Sequence, residues 1–176
     1  MGSAEAFEAE KLVIGVLLSR PDRKPELLSR LEGAFGPADW VSPELPFTFT
    51  RYYDAEMGGP IQRFFVSCRD LVDPASLSRI KLATNAIEDE LREGRLRPVN
   101  LDPGLLCLSR LVLASTKAGA HRVPLAQGIY AEIELLYEHG RFRPVEWTYP
   151  DYRTQEYLEI LGHIRGLLKA QRPPAV

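Results

Sequence analysis

The sequence predicts a single α+β domain, with about three helices on a largely antiparallel or mixed sheet. Three observations carry that prediction. The apolar period switches repeatedly between two residues and 3.6, in the order βαβββαβββββα. Pairs of strand-like runs flank the short segments AEMGGP, KAGA and EHGR, and strands joined this way pair antiparallel. Finally, 176 residues, 45% apolar and 26% charged, is the size and composition of one ordinary globular domain. The expected bounds are a flexible tail over 1–10, the domain over 11–170 and a second tail over 171–176.

The elements follow in order. Leu12 to Leu18 is apolar throughout but too short to span a membrane, so it reads as a buried strand. Leu27, Leu28, Leu31 and Phe35 have helical spacing over 23–35, with Gly36 and Pro37 as stop signals. The Pro-containing stretch from Gly36 to Phe47 reads as a surface connection. Phe47 to Tyr53 alternates residues that favour strands, and Ile61 to Cys68 returns after AEMGGP. A helix over 74–95 begins at the N-cap Asp73, with Pro74 in the first turn, where a missing N–H costs nothing. Leu77, Ile80, Ala83, Ile87 and Leu91 form its apolar stripe. Beside that stripe, Lys81, Asn85 and Glu88 read as a solvated flank.

In the second half, Arg110 to Thr116 and His121 to Leu125 read as a hairpin around KAGA. Ile129 to Tyr137 and Phe142 to Thr148 read as another around EHGR, where Gly140 supplies positive φ. The last helix, 154–170, is capped by Thr154 and buries Tyr157, Leu158, Leu161, Ile164 and Leu168.

Charge excludes several function classes. With 22 Lys and Arg against 24 Asp and Glu, the chain lacks the cationic excess of a duplex-DNA or membrane-surface binder. Its two cysteines cannot build a disulfide framework or a four-thiolate metal site. The first ten residues hold three Glu and no cation, so no export signal is read there, and the expected compartment is the cytoplasm. Cys68 and Cys107 read as buried thiols, and His139 and His163 as surface residues.

The chemistry-bearing positions sit in four motifs. From Pro103 to Ala131 the chain has no acidic residue, yet it places Lys117, His121 and Arg122 within TKAGAHR. That turn is either an anion site, since Arg and Lys bind phosphate or carboxylate, or a solvated hairpin tip. In GIYAEIELLYE, alternation puts Ile129, Ala131, Ile133, Leu135 and Tyr137 toward the core and Tyr130, Glu132 and Glu134 on the opposite face. Carboxylate residues two apart on a strand have Cα atoms about 6.5–7 Å apart, close enough for the pair to share a divalent cation or to raise one pKa. Glu134 itself is read as the solvent side of the strand. NLDPG reads as a turn in which Asp102 could serve as ligand or base. WTYPDYR is either a stacking surface or a strand-to-helix corner in which Asp151 helps to cap the helix.

Five ordered segments, RYYDAEMGGP, RPVNLDPG, VLASTKAGAHR, GIYAEIEL and WTYPDY, resemble the signature of an uncharacterised bacterial family catalogued as a domain of unknown function. The resemblance implies a bacterial single-domain protein, with Asp102, Lys117, His121, Arg122, Glu132 and Asp151 in the family pattern. It assigns no activity. Leu105 stands where the family pattern has an aromatic.

The function expected from the residues is binding or processing of a small anionic ligand, phosphorylated or nucleotide-like. Lys117 and Arg122, with His121, would hold the anion. Glu132, Asp102 and His121 are the acid–base candidates, and Tyr130 and Asp151 complete the binding set. Mg²⁺, held by Glu132 with Asp102 or Asp151, is the cofactor this reading admits. A non-catalytic adaptor domain and an RNA-binding module stay open as alternatives.

Overall fold

The computed structural model describes residues 2–172. Among them are nine strands and four α-helices forming one α+β domain. The strands are β1 (Glu10–Leu18), β2 (Ala38–Val41), β3 (Leu45–Pro46), β4 (Gln62–Val72), β5 (Val99–Leu106), β6 (Arg110–Ser115), β7 (Val123–Pro124), β8 (Tyr130–Glu138) and β9 (Arg141–Pro144). They form one antiparallel sheet in the order β2-β4-β1-β5-β6-β8-β7, with β3 also on β4 and β9 also on β8. The helices are α1 (Lys24–Phe35), α2 (Asp54–Met57), α3 (Leu77–Glu90) and α4 (Gln155–Gln171). None is long and apolar enough to cross a membrane.

Helices cover both faces of the sheet. On one, Leu12, Ile14, Val16 and Leu18 of β1 pack with Leu27 and Leu31 of α1 and Ile80 and Ile87 of α3. On the other, Val13, Phe65, Leu111 and Leu135 pack under Tyr157, Leu161, Ile164 and Leu168 of α4. β1 lies at the centre and is buried on both faces, which is why its sequence is a continuous apolar run. Thr154 caps α4 by accepting from the Tyr157 N–H. At the β8–β9 turn, His139 and Gly140 both have positive φ, 51° and 82°, as a two-residue hairpin loop requires. Residues 173–176, most of the expected C-terminal tail, lie outside the described residues.

Several expectations change. Gly36 to Phe47 is not a plain surface connection, because β2 and β3 pair with β4 inside it. Phe47 to Tyr53 is not a strand. The ladder ends where Phe47 N–H bonds Ile61 C=O, and the chain then leaves the sheet for α2. The rings of Phe47, Phe49 and Tyr53 cluster instead of alternating, with centroids 5.7 and 6.0 Å from Phe47. α3 stops at Glu90, short of Arg95, because Glu93 and Leu96 pair with each other in a turn. KAGA does not close a hairpin: β6 pairs with β8, and β7 pairs with the other edge of β8.

NLDPG is the sharpest correction, for it lies within β5 and is no turn. There the register runs Gly104↔Leu113, Leu105↔Val112 and Leu106↔Leu111, and no further toward the start of β5. Pro103 has no N–H to continue the ladder, and Leu101 is already occupied. Its N–H donates to Glu88 Oε1 (2.7 Å), and its carbonyl accepts from Lys81 Nζ (2.7 Å), both on α3. β5 and β6 therefore part like a fork at Gly104. A Cβ there would stand 2.6 Å from the Val112 carbonyl oxygen and 2.7 Å from Leu113. Gly104→Ala is accordingly expected to cost about 1–3 kcal/mol, the usual range for overpacking a filled site. Chemical denaturation measures it, and an unchanged midpoint would refute the close approach.

Candidate functional site

The fork opens into a cavity of about 680 Å³. β5 supplies Asn100 and Asp102, the end of β6 and the loop after it supply Ser115 to Lys117, and α3 reaches through the gap with Lys81, Asn85 and Glu88. Lys81, Asn85 and Glu88 are thus not a solvated flank; Lys81 and Glu88 are buried because they complete the backbone bonding of Leu101. Phe49, Tyr52 and Tyr53, from the segment expected to be a strand, form another wall, facing Tyr149 to Tyr152.

A chain of polar contacts runs along the floor. Arg97 donates to both carboxylate oxygens of Glu56 (2.7 and 3.0 Å), to Glu88 and to Asn100 Oδ1 (2.9 Å). Asn100 donates to Asp102 Oδ1 (3.0 Å). The other oxygen of Asp102 accepts from Arg63, whose second terminal nitrogen reaches Asp151 (3.2 Å each). Arg63 is buried at the start of β4, and the central strand makes room for it with Gly15. A Cβ on Gly15 would stand 2.6 Å from the Arg63 guanidinium and 2.9 Å from the Tyr152 hydroxyl. Burial raises the Asp151 pKa, and the Arg63 charge partly offsets this. Asp151 therefore does not cap α4, which Thr154 does; it ties the last loop to the sheet.

Glu132 is buried, and both its oxygens are engaged. Oε2 lies 2.9 Å from His121 Nε2, and Oε1 lies 3.0 Å from Arg122. The His121 ring stacks on Trp147 with centroids 5.2 Å apart. Arg122 also donates to the Tyr149 hydroxyl (2.7 Å) and the Lys117 carbonyl (2.9 Å), so it braces its own loop. Burial and the Glu132 charge push the Tyr149 phenol up to about 12, which keeps it neutral as an acceptor for Arg122. His121 and Arg122 are thus neutralised by Glu132 and fasten the TKAGAHR loop, where the sequence suggested they hold an anion.

Glu134 overturns the strand alternation. Leu111 pairs with Leu135 and Val112 with Ile133, so Glu134 is the extra residue of a β-bulge. The bulge puts Glu132 and Leu135 on the α4 side, leaves Ile133 39% exposed and buries Glu134 completely. The WTYPDY loop closes over Glu134: the Tyr149 N–H donates to Oε1 (2.7 Å), and the Thr148 hydroxyl donates to the Glu134 carbonyl (2.5 Å). Burial pushes its carboxyl pKa up to about 8.

Of the residues singled out in the sequence, Asp102, Lys117, Glu132 and Asp151 line the cavity. His121 and Arg122 stand behind its wall on Glu132. Tyr130 is outside the lining; it pairs with Ser115 and Pro124 across the strands. Among the described residues, no three His, Cys, Asp or Glu side chains converge on a point that could hold a metal ion. The carboxylates proposed to share Mg²⁺ are held instead by Arg63, His121 and Arg122. Sequence reasoning missed Arg63, Arg97 and the Tyr52–Tyr53 wall. Arg63 had a signal, as a charge inside the apolar run IQRFFVSC, and so did Gly15 inside LVIGVLL.

These features define a class: an antiparallel α+β domain with a polar cavity where two adjacent strands part. The model of a family described as Domain of unknown function (DUF4416) matches residues 8–167, and the chain belongs to that family. Comparison with curated proteins and with solved structures returned no match.

Glu134 gives a pH prediction. Its folded pKa is raised above the unfolded value, so it favours folding fully below about pH 4.5. That contribution is lost as pH rises toward about 8, because the unfolded chain then binds fewer protons than the native one. Glu134→Gln keeps a carbonyl for the Tyr149 N–H and removes the titration. Unfolding free energies measured between pH 5 and 8 are expected to fall less steeply in this variant than in the parent. Equal slopes would show that Glu134 does not titrate in this window.

Proposed function

We propose that this chain binds a small anionic molecule, phosphorylated or nucleotide-like, in the β5–β6 cleft, with its anionic group on Lys117. One observation carries the reading. Of the four cavity cations, Arg63, Lys81 and Arg97 each have a carboxylate partner. Lys117 has none among the described residues; its Nζ lies 4.6 Å from the centroid of the Tyr52 ring and 3.5 Å from its hydroxyl. The other three cations face four carboxylates, Glu56, Glu88, Asp102 and Asp151, and leave no positive charge over, so Lys117 is the cavity cation available to a ligand anion. The cavity volume suits a small molecule. Asp102, its side chain 28% exposed, retains lone pairs for a ligand hydroxyl or amine. An acid–base role within this reading falls to Asp102, because its side chain is 28% exposed where that of Glu132 is 1% exposed. The RNA reading has less support, because Trp147 and Tyr149 are tied to His121 and Arg122.

The test is thermal unfolding with phosphate, sugar phosphates and nucleotides at matched ionic strength. A ligand that binds only the native state raises the midpoint in proportion to the logarithm of its concentration over Kd. At least one phosphate compound is expected to raise the midpoint of the parent, and Lys117→Ala is expected to abolish that gain. Without ligand, Lys117→Ala is expected to stay within about 0.5 kcal/mol of the parent, because it breaks no ion pair. Equal gains in both proteins would defeat the reading.

A further inference from the structure

The anion reading leaves two features of the cavity unused: the edge of β6 that faces the fork, and Asn85. The Cys107 N–H bonds the Arg110 carbonyl, and Leu105 pairs with Val112, so the even-numbered residues of β6 turn their backbone groups toward β5. Continuing that register would set Ala114 against Pro103 and Thr116 against Leu101. Pro103 has no N–H for the Ala114 carbonyl. Leu101 gives its N–H to Glu88 and its carbonyl to Lys81, leaving nothing for Thr116. The Ala114 carbonyl and the N–H and carbonyl of Thr116 therefore form a short strand edge along the cavity, without a hydrogen-bond partner among the described residues. Ala114 is only 7% exposed, so its carbonyl has little access to water. Asn85, half-buried on α3, lines the same cavity, and its carboxamide makes no hydrogen bond among the described residues.

We propose that this strand edge and Asn85 read the hydrogen-bonding edge of a nitrogen heterocycle, so that the ligand is a nucleotide whose phosphate lies on Lys117. The inference rests on the anion reading and narrows it. A strand edge offers donors and acceptors in one plane, and a nucleobase edge offers the complementary in-plane pattern. The Ala114 carbonyl takes a ring N–H or exocyclic amine, the Thr116 N–H gives to a ring nitrogen or carbonyl, and Asn85 does both. Tyr52, exposed in the same lining, offers a ring face for stacking. A sugar phosphate has only hydroxyls to present and would leave the Ala114 carbonyl and the Asn85 amide without matched in-plane partners. An extended peptide would find only these two edge residues to pair with, since α3 has claimed the β5 side.

The experiment is isothermal titration of the whole chain with the four ribonucleoside 5′-monophosphates, ribose 5-phosphate and inorganic phosphate. At least one nucleotide is expected to bind about tenfold or more tighter than ribose 5-phosphate, as a site built around hydrogen bonds rejects an analogue lacking them. Asn85→Ala is expected to erase that margin without changing ribose 5-phosphate binding. Pro103→Ala supplies the missing N–H to Ala114, so it is expected to erase the margin while raising the unfolding midpoint. If ribose 5-phosphate binds as tightly as every nucleotide and Lys117→Ala weakens both, the heterocycle inference is overturned and the anion reading stands. A nucleotide margin that survives both variants also overturns it. If no phosphate compound binds, or Lys117→Ala changes nothing, both readings fall.

Discussion

The structure turns on the place where the β5–β6 ladder must stop. A backbone ladder continues as long as each strand offers an N–H and a carbonyl to the other, and Pro103 removes one of these donors. α3 then takes both groups of Leu101 with Glu88 and Lys81, which would otherwise be a buried ion pair with no evident reason to face a sheet. One proline and two helical side chains thus open a cleft inside an otherwise continuous sheet. The price of a buried, unpaired strand end is avoided on the β5 side only. β6 keeps its open edge, and that asymmetry gives the cavity a polar wall on backbone atoms as well as side chains.

Around this fork the molecule buries charge in matched groups. Removing a guanidinium from water costs several kcal/mol, and the attraction to partners offsets this only when its hydrogen bonds are met. Arg63 meets Asp102 on β5 and Asp151 on the loop before α4, so the same cation that lines the floor also pins the last helix to the sheet. Gly15 is the condition for this arrangement, because any side chain there would occupy the guanidinium's space. Arg97 plays the matching part between α2, β5 and α3 through Glu56, Asn100 and Glu88. Folding and site formation are therefore one event: the contacts that hold these elements together are the walls of the cavity.

What the sequence could reveal follows from the range of the interactions. The helices and the central strands were legible because periodicity, N-caps and stop residues act over a few neighbours: Thr154, Asp73 and the β1 run all do in the structure what their local chemistry dictates. The failures came where a distant partner overrode the local pattern. Phe47 to Tyr53 alternates like a strand, but its rings are drawn into a cluster over the cavity. Asp-Pro-Gly favours a turn, yet β1 pairs with it along the whole of β5 and holds it straight. Glu134 looked like a solvent-facing residue because alternation was assumed unbroken, and only the β6 register reveals the bulge. Of the candidate site, the motifs were visible, and four of the seven candidate residues, Asp102, Lys117, Glu132 and Asp151, do share one cavity. Their pairings were not visible, since a carboxylate's partner depends on which strands become neighbours.

The acid-free stretch from Pro103 to Ala131 shows how such a pairing changes meaning. Along the chain it is an excess of positive charge, and it invites an external anion. In space the first acid after the stretch, Glu132, folds back against His121 and Arg122 and cancels most of that excess. Arg110 is likewise met by Glu10, far away in sequence. What survives is Lys117, the one member of the cluster that the fold turns toward Tyr52 and the cavity instead of toward a carboxylate. The sequence locates the charge, and the fold decides how much of it remains for a ligand. Among the described residues, Lys117 of the heptapeptide has no carboxylate partner, and His121 and Arg122 hold its loop in place through Glu132.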